Sequence, residues 1–182
     1  MQRPINNIKL YAFITMLSLL AMYFGYRSFI HPIEHHSKYK YVSGYAYVID
    51  GDSIKVNNTE IRLLGIDAPE LLQSCGADNN TPCGKLAKQH LIDLIHHQTV
   101  KCYYKKFDRY HRVLGLCFAG KTALNKQMIK DGWAVSYYLF KKEEKLAKTN
   151  KLGIWKAPFE IPSHWRKEHH HDDHRAPANP QM

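Results

Sequence analysis

Hydrophobic and polar positions change rhythm several times along the chain. The run "LYAFITMLSLLAMYFGY" (residues 10–26) carries no charge, with Lys9 and Arg27 at its borders. Its apolar side chains would wrap every face of a helix, which disfavours a stripe buried in a soluble core. At 1.5 Å per residue the run is just long enough to cross a bilayer. The following "YFGYRSF" offers no small-residue cleavage site, so the pattern predicts a transmembrane anchor, or uncleaved signal, at residues 10–27. A cleaved signal peptide is the alternative. Residues 1–9 then form a short N-terminus and residues 28–40 a polar linker.

From Tyr41 the pattern becomes aromatic and β-branched. "YVSGYAYVI", "DSIKV" and "EIRLLGI" read as successive strands, with "NNT" as a tight hairpin turn. In "CGKLAKQHLIDLIHH" the period shifts: Leu86, Ala87, His90, Leu91, Leu94 and Ile95 share one helical face. Two further strands flank "FDRYHR". "LNKQMIKDGWA" and "KKEEKLAKTNKLGIW" read as helices stopped by Gly132 and Gly153. The order βββ, α, ββ, α, α predicts an α+β fold: a five-stranded OB-type β-barrel with three packed helices, spanning residues 41–162. The tail, residues 163–182, is polar and His-rich and is expected to be disordered. Its "HHHDDH" fixes no ligand geometry, so a solvated tail is favoured over a metal site.

Charge narrows the partner. The 182-residue chain carries a formal +10 with a pI near 9.4. Residues 42–161 hold 18 Lys and Arg against 12 Asp and Glu, leaving +6. Such an excess suits nucleic acid or an acidic membrane surface and does not choose between them.

The four cysteines are Cys75, Cys83, Cys102 and Cys117. If the strands around "FDRYHR" pair as a hairpin, residues whose numbers sum to 219 face each other, which sets Cys102 opposite Cys117. Cys75 and Cys83 bracket the turn-rich "GADNNTP". Two disulfides, Cys75–Cys83 and Cys102–Cys117, are expected. Buried thiols and zinc ligands are the alternatives, although the tight Cys-x-x-Cys pair usual for zinc is missing from the sequence. Disulfides place the domain on the oxidising side of the membrane, periplasmic or extracellular, with the N-terminus in the cytosol.

Against this positive background, "YVIDGDSIKVNNTEIRLLGIDAPE" (residues 47–70) gathers Asp50, Asp52, Asp67 and Glu70 near strand ends, with Arg62 between apolar residues. Oxygen ligands suit a hard divalent cation, and an arginine fork matches two phosphate oxygens. Each piece alone has an ordinary structural explanation, as a turn, a helix start or a surface residue. The combination points to phosphate chemistry.

"VIDGDSIKV", "IRLLGIDAPE", "DRYHRVLG" and "LNKQMIKDGWA", followed by "LGIW", resemble in order the motifs of the staphylococcal nuclease (thermonuclease) family over residues 41–155. The resemblance implies an OB barrel with three helices and calcium-dependent hydrolysis of DNA and RNA. It implies that Asp52, Asp67 and the backbone carbonyl of Ala68 bind Ca2+. Glu70 would be the general base for the attacking water, and Arg62 and Arg112 would grip the phosphate. Tyr110 and Tyr138 would lie near substrate. Lys105, Lys106 and Lys126 would attract the polyanion without reading its sequence. One departure stands in "DRYHR", where the family usually has glycine at the position of His111 and a positive φ is expected.

Three functions compete: a membrane-tethered endonuclease with DNA and RNA as partners, a catalytically weak OB module that binds single-stranded nucleic acid, and a membrane-surface interaction protein. A pure binder has no use for Asp52, Asp67 and Glu70 together. A surface protein uses the charge and the anchor but leaves the carboxylates idle. No protein partner is implied.

Overall fold

The computed structural model describes residues 7–30 and 39–169, and the chain divides into two units, Met1–Ser37 and Lys38–Met182. In the first unit, helix α1 (Asn7–Ile30) covers the expected anchor. Tyr11, Phe13, Leu17, Leu19 and Met22 are exposed on it. Among the described residues no helix is long and apolar enough to cross a membrane, so the expected span finds no support in the fold. Most of the expected linker and the tail beyond residue 169 lie outside the described residues.

The second unit is α+β: a curled, half-barrel sheet with helices packed around it. Strands β1 (Lys40–Gly44), β2 (Ala46–Val48), β3 (Ser53–Val56), β4 (Thr59–Leu63), β6 (Val100–Phe107) and β7 (Val113–Ala119) follow the order β1-β6-β7-β4-β3-β2. Short β8 (Thr122–Ala123) pairs with β7, while β5 (Ile66–Asp67) pairs with β9 (Val135–Ser136) as a separate ribbon. Among the described residues, nine strand segments thus replace the five expected. "YVSGYAYVI" is interrupted at Tyr45, and "EIRLLGI" at the Leu64–Gly65 turn, where Gly65 has φ 83°.

The hairpin turn between β3 and β4 sits at Asn57 and Asn58, both at positive φ (47° and 62°), the conformation that asparagine tolerates better than most residues. The β6–β7 register follows the expected sum from Val100↔Ala119 to Tyr104↔Gly115, then shifts by one at a bulge beside Lys105. Cys102 faces Cys117 and the two are bonded, as are Cys75 and Cys83. Both expected bridges are present.

Alternation sends Ile54, Val56, Ile61, Leu63, Val100 and Val113 inward, where they meet Ala87, Leu91 and Ile95 of α2 (Cys83–Ile95) and Leu124, Met128 and Ile129 of α3 (Leu124–Lys130). Each such large side chain contributes roughly 1.5–3 kcal/mol when buried. Buried Asn125 locks α3 to the sheet: its Oδ1 accepts from the Cys117 amide (2.9 Å), and its Nδ2 donates to the carbonyls of Leu64 and Gly115 (3.0 Å each). That amide fixes the turn leading into β5.

Helix α4 (Lys141–Thr149) ends at Asn150, short of Gly153, which instead opens a 3-10 turn (Gly153–Lys156). The tail does not begin at residue 163, because Pro162–His169 forms α5. Proline suits the first turn of a helix, where its missing N–H is no loss, and it gave a start signal that composition alone masked. The segment before α5 is fastened to the body. Gln73, fully buried, donates from Nε2 to the Glu160 carbonyl (2.6 Å), and the Gly76 amide donates to the Pro158 carbonyl (2.8 Å).

Candidate active site

The acidic residues are brought together by three local devices. Asp50 Oδ1 accepts the Asp52 amide (2.9 Å), forming a tight turn before β3, and the Asp52 carbonyl accepts the Leu63 amide of β4 (2.8 Å). Asp67 is presented by β5 through its pairing with β9. Glu70 is held by Gln73, whose side-chain oxygen accepts the Glu70 amide (3.1 Å) and whose own amide donates to the Glu70 carbonyl (2.8 Å). The start of α2 packs against the same carbonyl: a Cβ added at Gly84 would overlap its oxygen.

Arg62 bridges two of these carboxylates, with Nη1 2.6 Å from Asp52 Oδ1 and Nη2 2.6 Å from Asp67 Oδ1. Asp52 Oδ2 accepts the Ala68 amide at 2.8 Å. Arg166, from α5, then bridges Asp67 to Glu70. Its Nη1 lies 3.0 Å from Asp67 Oδ1 and 2.5 Å from Glu70 Oε1, and its Nη2 lies 3.1 Å from Asp67 Oδ2. Three carboxylates and two guanidinium groups form one chain of ion pairs.

Arg112 approaches from the β6–β7 loop. Asp108 shapes that loop, since its Oδ1 accepts the amides of Tyr110 and Arg112 and its Oδ2 accepts Arg112 Nε at 2.8 Å. His111 sits at φ 62°, as expected for the position that the family fills with glycine. A cleft of about 760 Å³ is lined by Glu60, Arg62, Glu70, Arg109, Tyr110, Arg112, Tyr137 and Arg166, among others. Arg62, Glu70, Arg112 and Tyr110 therefore share one cavity. Tyr138 does not line it. Tyr137 does, with its hydroxyl 3.4 Å from Arg166 Nη2.

Burial sets the electrostatics. Removal from water pushes the Asp52 carboxyl from 3.8 up to about 7, outweighing the opposing pull of Arg62 and of the Ala68 amide. Burial also works against the charge on Arg62 and Arg166, but their carboxylate partners prevail and raise both. Asp108 is lowered: slight burial opposes this and the hydrogen bonds from Arg112 and Tyr110 win. Among the described residues no cluster of three or more His, Cys, Asp or Glu is arranged to hold a metal ion. The donors available at Asp52 and Asp67 are nonetheless all oxygen, and a single cationic group already spans both. That donor chemistry fits a hard divalent cation completed by carbonyls and water.

The sequence pattern points to none of Arg166, Tyr137 and the Gln73–Gly84 support of Glu70. Arg166 reaches partners 96 and 99 positions away, a separation for which no local spacing gives a signal.

The sheet, its helices and this acidic and basic cleft define a nuclease-like domain, and comparison with known families agrees. Residues 60–157 match the model "Staphylococcal nuclease homologue", and the chain belongs to that family. It is 35% identical over 127 residues to the succinoglycan biosynthesis protein ExoI of Rhizobium meliloti (64% of this chain, 65% of that protein). It is 34% identical over 142 residues to the micrococcal nuclease of Shigella flexneri (66% of this chain, 77% of that protein). An uncharacterized endonuclease of Haemophilus influenzae is 31% identical over 134 residues (66% and 70%). The chain thus spans just under two thirds of the first of these relatives and somewhat more of the other two.

Proposed function

We propose that this protein is an endonuclease that hydrolyses phosphodiester bonds of DNA and RNA with little sequence preference, using Ca2+. The observation that carries this is the meeting of buried Asp52 and Asp67 with Glu70 through Arg62 and Arg166, the two arginines and Glu70 lining a cleft that also exposes Arg112. Asp52, Asp67 and the Ala68 carbonyl would hold the ion. When bound, it would supply positive charge to offset the negative charge on the phosphoryl oxygens.

The chain's own groups do the rest. Arg62, held beside Asp52 and Asp67, and Arg112 would offer their remaining N–H groups to the phosphoryl oxygens, where preorganised charge is worth several kcal/mol. Glu70, partly exposed beside the cleft, would take the proton of an attacking water. Tyr110 would pack or hydrogen-bond alongside the substrate, a role in which Tyr137 is better placed than Tyr138. Lys105 and Lys106 on β6 add long-range attraction, whereas Lys126 is engaged by Glu143 at 3.0 Å.

We read the half-barrel as an OB-type closure, because the end strands β1 and β2 are separated by Tyr45 alone. The two disulfides support placement on the oxidising side of a membrane, periplasmic or extracellular. Anchoring in the bilayer rests only on the uncharged N-terminal run, with secretion after cleavage as the alternative.

A second reading, a binding module for single strands, draws on the outer face of β1 and β6. There Tyr41 and Tyr103 lie 6.2 Å apart, with Lys101 over both rings, a surface suited to stacked bases. It leaves the carboxylates without a task. The deciding experiment incubates the purified chain with single-stranded DNA and with RNA, in calcium and in chelator. Cleavage of both polymers in calcium alone is expected. Binding without cleavage in either condition refutes the nuclease.

A further inference from the structure

The C-terminal helix α5 places a cation where the nuclease reading needs a metal. Arg166 gives Asp67 two hydrogen bonds and Glu70 one, and Arg62 gives Asp67 another. A carboxylate offers about four lone-pair sites, and three of those on Asp67 are already taken. The Asp67 side chain is only 1% exposed, so water does not compete there. A divalent ion entering beside Asp67 would meet two guanidinium groups converging on the same oxygen, Oδ1.

One of them must yield. Arg62 is fixed within β4 and shared with Asp52. Arg166 stands at the end of a long side chain on an eight-residue helix, held to the body through the backbone of the preceding segment. It is the group that can withdraw while the fold stays intact.

We propose that Arg166 is a tethered substitute for the divalent cation: it neutralises Asp67 and Glu70 in the metal-free protein, and calcium binds by displacing it. This rests on the assignment of Asp67 as a calcium ligand. Two effects share one sign. Removing Arg166 abolishes its repulsion of the ion, and it leaves Asp67 and Glu70 mutually repelling, which also favours cation uptake.

Calorimetric titration of the full chain with calcium chloride, without nucleic acid, tests the idea in the parent and in Arg166→Gln. The variant is expected to bind calcium about tenfold more tightly, a difference of about 1.4 kcal/mol. Hydrogen exchange on the unmutated chain supplies a second measurement, independent of any effect of the substitution on folding. Calcium should speed exchange of the amides in Pro162–His169, since the helix loses its side-chain tether. Equal or weaker calcium binding by the variant overturns the displacement while leaving calcium binding by Asp67 standing, and so does unchanged exchange in α5. Titrations in which neither chain takes up calcium overturn the metal assignment itself, and the proposal with it.

Discussion

Substituting Gly84 by alanine tests how the protein aims Glu70. The added Cβ would overlap the Glu70 carbonyl oxygen and stand 2.6 Å from its carbonyl carbon and 3.0 Å from that of Leu71. Ordinary contact requires about 3.5–4.0 Å between carbons, so the Glu70–Leu71 peptide must retreat by about 1 Å. In stability the effects partly cancel. Overpacking costs about 1–3 kcal/mol, while alanine improves the helix over glycine by up to about 1 kcal/mol. A net loss of about 1 kcal/mol should lower Tm by roughly 3 °C. Activity should suffer far more, because a 1 Å misplacement of a positioned group costs about 100-fold in rate. The assay is kcat on single-stranded DNA at saturating substrate and calcium, alongside thermal melting. Gly76→Ala is the control: it places a side chain at φ 95° but meets only Thr81 Oγ1, at 3.7 Å. It should lower Tm and leave kcat intact. A Gly84→Ala enzyme with the parent's kcat would refute the claim that this helix start positions Glu70.

Three further outcomes are expected. Glu70→Gln and Arg112→Ala should each lower kcat/KM by at least about 100-fold, the scale of general-base and charge-stabilising contributions, measured on both polymers; parental rates would remove their assigned roles. Replacing Cys102 and Cys117 by alanine opens a bridge of sequence separation 15, worth about 3 kcal/mol. A fall in Tm of about 6–12 °C is expected, and calorimetry showing less than about 2 °C would contradict it. Asp52 has a folded pKa near 7, above its ordinary 3.8, so its contribution to stability is present below 3.8 and is lost as pH rises through about 7. In chelator, the Tm of Asp52→Asn minus that of the parent should therefore climb between about pH 4 and pH 7 and level off above, and a flat difference across that range would refute the shift.

What could be read in advance was local or periodic. The Cys102–Cys117 pairing followed from counting outward from a loop, because a hairpin register is fixed by its turn; the bulge at Lys105 lies below what such counting resolves. The helical face of α2 is visible because Ala87, Leu91 and Ile95 recur at helical spacing, and all three are buried, whereas Leu86, expected on the same face, is exposed. Arg62, Glu70, Arg112 and Tyr110 were found through motifs and do share a cleft. The family resemblance points to Tyr138, whereas Tyr137, the residue just after β9, lines the cleft; nothing in "SYYLF" separates two adjacent tyrosines. Residues 163–169 read as a tail because a polar, charged segment looks solvated until a distant acidic pair gives its arginine a partner.

Gln73 has a practical consequence for dividing the gene. Its buried side chain links the backbone that carries Glu70 to the carbonyl of Glu160, while the family match stops at residue 157. A fragment cut at that border would strand an amide donor in the interior, at a cost of about 1–3 kcal/mol. It would also loosen the support of Glu70. A fragment that keeps this support for Glu70 therefore has to run past the end of the family match, to Glu160 at least.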